Sequence, residues 1–322
     1  KIVNVVYIKM NKLLITVPMK TDDIDRVINL GYEVSLCLEN DLSFEKDIHN
    51  FKDIDCMICH NPFKKVLFDD FVNLKWIQLT SSGFEHLPLN NLMNRDILIT
   101  NNSGAFSISV AEWIIMRILE SFKNSFKIFE NQKNKLWKTD YTVRELYGST
   151  IGFIGTGNVA KETAKKLSTF GVKIIGLNRS GSSVDYFDNT YSLSNITDFI
   201  KLCDVVVLAA PLNDDTFHIV NDEFLNTAKK GLTLINIARG SLIDEIALIK
   251  AIHEKKIIFA ALDVFENEPL SSDSEMWDTN QIIISPHNAW ISEESKGRKF
   301  SIVFRNLKNF IENKPLENII LK

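Results

Sequence analysis

Five short stretches of this 322-residue chain hold residue types that could do chemistry together. The first is Ile151-Gly152-Phe153-Ile154-Gly155-Thr156-Gly157-Asn158-Val159-Ala160, a G-x-G-x-x-A pattern closing an apolar run. Each small residue has a mechanical task in holding a pyrophosphate. Gly155 permits a tight turn, Gly157 lets the backbone approach the phosphates, and Ala160 lets the next helix pack closely on the strand. The unpaired N–H groups at that helix start would hold the anion. Glycine pairs also arise by chance, so the context decides. Of 13 glycines, six lie between 152 and 181, and a helical stretch (159–170), a stop at Gly171 and a second apolar run (173–177) follow in order. The pattern therefore reads as a dinucleotide turn.

The second stretch, Asn178-Arg179-Ser180, ends that second run. A site selective for NAD places Asp or Glu there for the ribose 2′-OH. Asn178 removes the carboxylate that would repel a 2′-phosphate, and Arg179 and Ser180 supply hydrogen-bond donors to it. NADP(H) is favoured, with NAD(H) as the alternative. The other three stretches are Asn236–Gly240, Asp263–Pro269 and Ser285–Asn288. All follow predicted strands, where open α/β sheets place their ligands.

The elements that must position these residues alternate short β-branched runs with longer amphipathic ones, the pattern of parallel sheets covered by helices. Strands are expected at 12–17, 33–38, 54–59, 76–79 and 97–100, with helical connections at 22–30 and around 63–73. A long helix is expected from Ser107 to Glu130, because Val110, Ile114, Ile118 and Phe122 recur every four residues. Trp113, Leu119, Phe126 and Phe129 widen that stripe enough to cover a second copy of the chain as well as its own domain. Six further strands follow at 150–154, 173–177, 204–209, 233–237, 259–264 and 282–285, the doubly wound dinucleotide arrangement. A last amphipathic stretch, 293–313, has no strand after it.

Length favours two domains. A net charge of −4 gives no general attraction for nucleic acid or anionic membranes, and no apolar run is long enough to span a bilayer. Cys56 and Cys59 form a lone C-x-x-C inside a strand, where positions three apart face opposite sides. With no second pair nearby they read as small buried hydrophobes, and no metal site is expected. The cysteine usage points to a cytoplasmic location. The run from Met10 has the look of a chain start, with residues 1–9 expected to be a leader or a non-native extension.

Taken together, these motifs resemble the D-isomer-specific 2-hydroxyacid dehydrogenase family over essentially the whole chain. The resemblance also rests on Val110-Ala111-Glu112, Asp204-Val205-Val206 with Pro211, and Ser241-Leu242-Ile243-Asp244. It implies two doubly wound parallel-sheet α/β domains: a Rossmann coenzyme domain, 101–290, inserted into a flavodoxin-like substrate domain, 1–100 and 291–322. It further implies that Arg239 clamps the substrate carboxylate and 2-oxo group and that His287 is the general acid–base. Glu268 would orient His287 and keep a proton available near neutrality, and Asp263 would contact the nicotinamide carboxamide. Coenzyme contacts are implied at Gly155, Thr156, Gly157, Asn158, Val159, Asn178, Arg179, Ser180, Ala210, Pro211, Thr216, Ile237, Ala238, Arg239, Asp263 and His287. The loop Thr80–Phe84 matches the family's carboxylate-binding loop, which makes Ser82 and Gly83 substrate ligands with Arg239 and His287. His60 and Asn61 stand where some members carry a phosphate-binding arginine, so a small unphosphorylated 2-oxo acid such as glyoxylate, hydroxypyruvate or pyruvate is the expected substrate, with a homodimer as the assembly. Trp290 either walls the pocket or anchors the crossover. The alternatives are a phosphoglycerate-type dehydrogenase on this scaffold and a dinucleotide-sensing, corepressor-like binding protein.

Overall fold

A computed structural model describes residues 10–41, 44–88, 92 and 95–321; the leader expected at 1–9 lies outside the described residues. Two compact units divide the chain, one ending at Ala105 and resuming at Glu293, the other running from Phe106 to Ser292. In chain order the strands are β1 (Asn11–Ile15), β2 (Tyr32–Leu36), β3 (Cys56–Cys59), β4 (Trp76–Leu79) and β5 (Leu98–Thr100). Then come β6 (Thr150–Ile154), β7 (Lys173–Asn178), β8 (Asn189–Ser192), β9 (Val205–Leu208) and β10 (Leu232–Asn236). The last three are β11 (Ile257–Leu262), β12 (Ile282–Ile284) and β13 (Ile319–Leu321).

In the unit Phe106–Ser292, seven parallel strands run in the order β12-β11-β10-β9-β6-β7-β8. This is the doubly wound dinucleotide order with one strand added beyond the sixth. The middle strand β9, Val-Val-Val-Leu, is buried throughout because both sheet faces are covered. Burying each such side chain contributes roughly 1.5–3 kcal/mol. The order reverses between β6 and β9, so the crevice at their carboxyl ends is where a ligand belongs.

Two expectations for this unit need correction. The pattern gives six strands and there are seven. The extra one, β8, is an edge strand of Asn-Thr-Tyr-Ser paired only with β7, and its half-exposed polar residues give no apolar run. The single helix over Ser107–Glu130 is two helices, Ser107–Lys123 and Ser125–Lys133. Between them Asn124 adopts the left-handed conformation (φ 48°, ψ 44°). Asn tolerates that region, and its amide donates to Asp140 Oδ2 at 3.1 Å and Thr142 Oγ1 at 2.9 Å. The first helix sinks Trp113, Ile114, Ile118 and Phe122 into the core, whereas Phe129 on the second is exposed.

The other unit holds a six-stranded sheet in the order β13-β5-β4-β3-β1-β2. Its five parallel strands have the flavodoxin-like order. β13 is added antiparallel beside β5, so the final helix, Glu293–Ile311, does lead into a strand. Only three residues long, β13 carries too little pattern to stand out. The helix is fixed to the sheet by Asn306, fully buried, whose Nδ2 donates to Gln78 Oε1 at 2.8 Å, and by Phe310 stacked on Trp76 at 5.0 Å. The region 63–73 forms only two 3-10 turns, Pro62–Lys64 and Phe68–Asp70. There Phe63 packs edge-on against Phe68 and Phe71, and tertiary burial replaces a helical repeat.

Cys56 and Cys59 are fully buried on opposite faces of this sheet, Cys59 among Ile77 and Leu79, Cys56 among Leu13 and Trp76. Burial pushes both thiols up, with repulsion from Asp55 adding at Cys56 and from Glu39 at Cys59. Among the described residues no cluster of three or more His, Cys, Asp or Glu could hold a metal. Iodoacetamide at mildly alkaline pH should therefore leave Cys56 and Cys59 unmodified in the native protein and label both in denaturant. Native-state labelling of either, read by peptide mass spectrometry, would contradict their placement.

Candidate active site

The glycine turn sits at the point where the strand order reverses. Gly155, just after β6, has φ 94°, and its N–H donates to Leu177 O at 2.8 Å. A Cβ there would lie 2.6 Å from the Ala209–Ala210 backbone that follows β9, so only glycine lets the two strand ends meet. Gly157 is different. It caps the helix Asn158–Leu167 with ordinary φ of −77°, and a Cβ would meet nothing within 4 Å. The chain itself does not require a glycine there; the open space suits a ligand lying on the backbone. Ala160 is fully buried beneath the helix, as close packing demands. The turn therefore fits a pyrophosphate on the helix N-terminus.

At the far end of β7, Asn178 shapes the loop rather than reaching outward. Its Oδ1 accepts from Gly181 N–H at 2.7 Å, and its Nδ2 donates to Ser182 O at 2.9 Å and Thr156 Oγ1 at 3.3 Å. Ser180 and Ser182 hydroxyls lie 2.6 Å apart, and Arg179 is exposed, 3.9 Å from Asp215 Oδ2. Arg179 and Ser180 thus stand at the strand end with no carboxylate on the residue before them. After β9, Ala210 is buried, Pro211 is exposed, and Thr216 Oγ1 closes the turn by donating to Pro211 O at 2.7 Å.

After β10 the chain turns sharply around fully buried Asn236. Its Oδ1 accepts from Ala238 N–H at 3.1 Å, and its Nδ2 donates to Arg239 O at 2.8 Å. This fixes Ile237, Ala238 and Arg239, whose guanidinium Nη1 donates to Ala238 O at 2.6 Å. Next comes Gly240. A Cβ on it would fall 1.8 Å from the Phe265 carbonyl carbon, so the loops bearing Arg239 and Glu268 touch backbone to backbone.

Asp263, 2% exposed, organises the remaining segment. Its Oδ1 accepts from Ser285 Oγ at 2.5 Å and Asn288 N–H at 2.9 Å, and Oδ2 accepts from Ala289 N–H at 3.0 Å. The Asp263 carboxylate is thus engaged within the 285–289 loop, a positioning job that the resemblance did not suggest. His287 sits in this loop with φ 50°, held by its N–H donating to Asp263 O at 2.8 Å. A non-glycine residue in that region costs of order 1–3 kcal/mol, and the loop's hydrogen bonds over-determine it. The imidazole Nδ1 lies 2.8 Å from Glu268 Oε2, while Glu268 Oε1 accepts from Phe265 N–H at 3.1 Å. Glu268 therefore orients the ring through Nδ1, with Nε2 outside that hydrogen bond. Trp290 anchors the loop: its Nε1 donates to His287 O at 3.0 Å, and its carbonyl accepts from Ser109 Oγ at 2.9 Å.

In the other unit, the loop 80–84 is tied by Asn101 and Asn102. Asn101 Nδ2 donates to Ser82 O at 2.6 Å, and Asn102 N–H donates to Ser81 O at 2.9 Å. Ser82 is exposed and Gly83 half-buried. Glu39 holds the neighbouring strand end, accepting from His60 N–H at 2.7 Å and Asn61 N–H at 2.8 Å. Sequence reasoning missed Asn101, Asn102, Asn236 and Glu39 as positioning residues. The available signal was a polar side chain at or within a few residues of a strand's carboxyl end, where loop N–H and C=O groups need partners.

Comparison with known proteins decides the family. The model of the D-isomer specific 2-hydroxyacid dehydrogenase NAD-binding domain matches residues 115–289. A glyoxylate reductase of Thermofilum pendens is 33% identical over 82% of this chain and 80% of its own length. This chain belongs to the D-isomer specific 2-hydroxyacid dehydrogenases. It is accordingly an oxidoreductase with a Rossmann-like nicotinamide-dinucleotide domain. A D-3-phosphoglycerate dehydrogenase of Methanocaldococcus jannaschii is 30% identical over 97% of this chain, which spans 59% of that relative. A family member of known structure from Aeromonas salmonicida is 28% identical with a TM-score of 0.81, covering 97% of this chain and 99% of its own.

The two glycines predict opposite failures. Gly240→Ala should lower the unfolding free energy, measured by a denaturant melt, by about 1–3 kcal/mol or more through the backbone collision. Gly157→Ala should melt like the wild type yet weaken dinucleotide binding, measured by calorimetry, by roughly tenfold or more. Equal stability losses in both would show that the space at Gly157 is not a ligand's.

Proposed function

We propose that this dehydrogenase transfers a hydride between NADP(H) and a small unphosphorylated 2-oxo or D-2-hydroxy acid of the glyoxylate, hydroxypyruvate or pyruvate type. The observation that carries the reading is the 2.8 Å contact of His287 Nδ1 with Glu268 Oε2, in a unit that also presents Arg239. Bound along the turn 155–159, against Ala210, Pro211, Thr216, Ile237 and Ala238, the coenzyme supplies the hydride. Arg239 holds the substrate carboxylate and polarises its 2-oxo group with a planar fork of donors. His287 gives the proton to the carbonyl oxygen in reduction and takes it back in oxidation. Glu268 fixes the ring through its hydrogen bond to Nδ1. Ser82 and Gly83 offer backbone N–H groups to the substrate carboxylate, which gives the discontinuous unit the substrate role and Phe106–Ser292 the coenzyme role.

The preference for NADP(H) rests on Asn178, Arg179 and Ser180: the strand-end position itself carries an amide rather than the carboxylate that would oppose a 2′-phosphate, and Arg179 beside it can supply charge-assisted donors. The preference for an unphosphorylated acid rests on His60 and Asn61 at the end of β3, where no arginine offers a bidentate grip. A homodimer is supported by an apolar surface along the coenzyme unit: Met116, Ile128, Phe129, Leu136, Trp137 and Tyr147 are all exposed, Trp137 completely. A patch of this kind marks an interaction face. The buried free cysteines suit a reducing, cytoplasmic setting.

Loss of NADPH and NADH absorbance should be followed with glyoxylate, hydroxypyruvate, pyruvate and a phosphorylated 2-oxo acid. Turnover is expected with the small acids and faster with NADPH, and absence of turnover with every acid would refute the reading. His287→Ala should lower kcat by about 10²–10⁴-fold. Arg179→Ala should raise the KM for NADPH by roughly tenfold or more and leave NADH unaffected; a clear preference for NADH in the wild type would overturn the coenzyme assignment.

A further inference from the structure

A second histidine–carboxylate pair stands beside the first, and the chemistry above does not use it. His218 Nε2 is hydrogen-bonded to Glu266 Oε1, both side chains being about two-thirds buried. The His218 ring lies flat on Phe217, centroids 4.0 Å apart, and its backbone is left-handed with φ 46°. Such a conformation is held at a cost and implies that the surroundings dictate it.

Three loops meet at this pair. His218 follows the Thr216 turn after β9, and its N–H donates to Ser241 O at 2.9 Å, two residues beyond Arg239. Glu266 lies two residues before Glu268, and its N–H donates to Glu245 Oε1 at 2.9 Å, at the start of the helix Glu245–His253. Burial pushes the Glu245 carboxyl up; the Glu266 N–H pulls it down, the Glu266 charge pushes it up again and His218 pulls it down, so the groups form one coupled set. The Gly240–Phe265 backbone contact lies at the same junction.

We infer that His218 and Glu266 are positioning residues: their hydrogen bond, anchored on Glu245, clamps the Thr216, Arg239 and Glu268 loops together and so holds Glu268 on the His287 imidazole. The inference rests on the hydride-transfer reading, but one arm of its test is independent of turnover. An error of about 1 Å in the general acid can cost two orders of magnitude in rate, so a clamp remote from the substrate would act on kcat rather than on coenzyme affinity.

His218→Phe, Glu266→Met and the double variant should be compared with the wild type. Each single variant should melt near the wild type, lose about tenfold in kcat and keep the KM for coenzyme within about twofold. The double variant should lose no more than either single one, since each change alone already removes the bond. The independent arm follows the His287 ring by NMR: the resonance of the proton between His287 Nδ1 and Glu268 should lose its downfield, hydrogen-bonded position in each variant, because contact with Glu268 is loosened. Should the wild type turn over no 2-oxo acid while this change appears, the reaction assigned above fails and the clamp stands. Unchanged kcat and an unchanged Nδ1 proton resonance in folded His218→Phe would overturn the clamp, as would additive losses in the double variant. Should His218→Phe not fold, Glu266→Met tests the same bond from the other side, since it keeps side-chain length and removes the acceptor.

Discussion

The hydrogen bonding of the Asp263 carboxylate is the interaction on which the arrangement of His287 and Glu268 depends. A buried charge in a protein interior costs several kcal/mol unless it is fully hydrogen-bonded. Asp263 meets that demand with Ser285 Oγ and the N–H groups of Asn288 and Ala289, and its own backbone ties Asn236 on one side to His287 on the other. One residue, through its backbone and its side chain, thus links the ends of β10, β11 and β12. It forces the 285–289 loop to curl around it, and that curl puts His287 in a backbone region few side chains visit. The imidazole is then aimed by two independent restraints, the strained backbone and the contact with Glu268.

The same logic recurs around the site. Asn236, Asn178 and Thr216 each close a loop at the carboxyl end of a parallel strand with their own side chains. Parallel strands buried on both faces leave backbone polar groups unpaired only at their ends. Short polar residues there satisfy the loop and so make a rigid rim. Arg179 and Arg239 stand on that rim, and the main ties closing the loops come from neighbouring short polar side chains. Gly155 and Gly240 add the complementary device, backbone in contact with backbone where no Cβ fits.

Much of this was legible in the sequence. The turn 152–160 and the buried runs of β6, β7, β9, β10 and β11 follow from patterns set by local sterics and burial on two faces, whereas Arg239, Glu268 and His287 are singled out by the family resemblance of their order. Elements whose stability is mostly borrowed were not legible. β8 and β13 are short edge strands paired on one side, one of them polar, so neither carries a period of its own. Nor does hydrophobic spacing register the break at Asn124, since the apolar stripe continues across it while Asp140 and Thr142, sixteen and eighteen residues on, satisfy the turned residue.

By itself the sequence pointed to the residues that could bind a dinucleotide, because glycines and a missing carboxylate act through their own chemistry, and the order of its motifs pointed by resemblance to a proton-transferring histidine. It also determined that two doubly wound sheets would present them. The tertiary structure decided what each side chain is spent on. Asp263 and Asn178 turn inward to hold loops, Gly155 is required by a neighbouring strand while Gly157 is not, and His218 meets Glu266 across 48 residues of chain. Those outcomes depend on which backbone groups are left unpaired once the strands have assembled, and that is a property of the packed sheet rather than of any stretch of sequence.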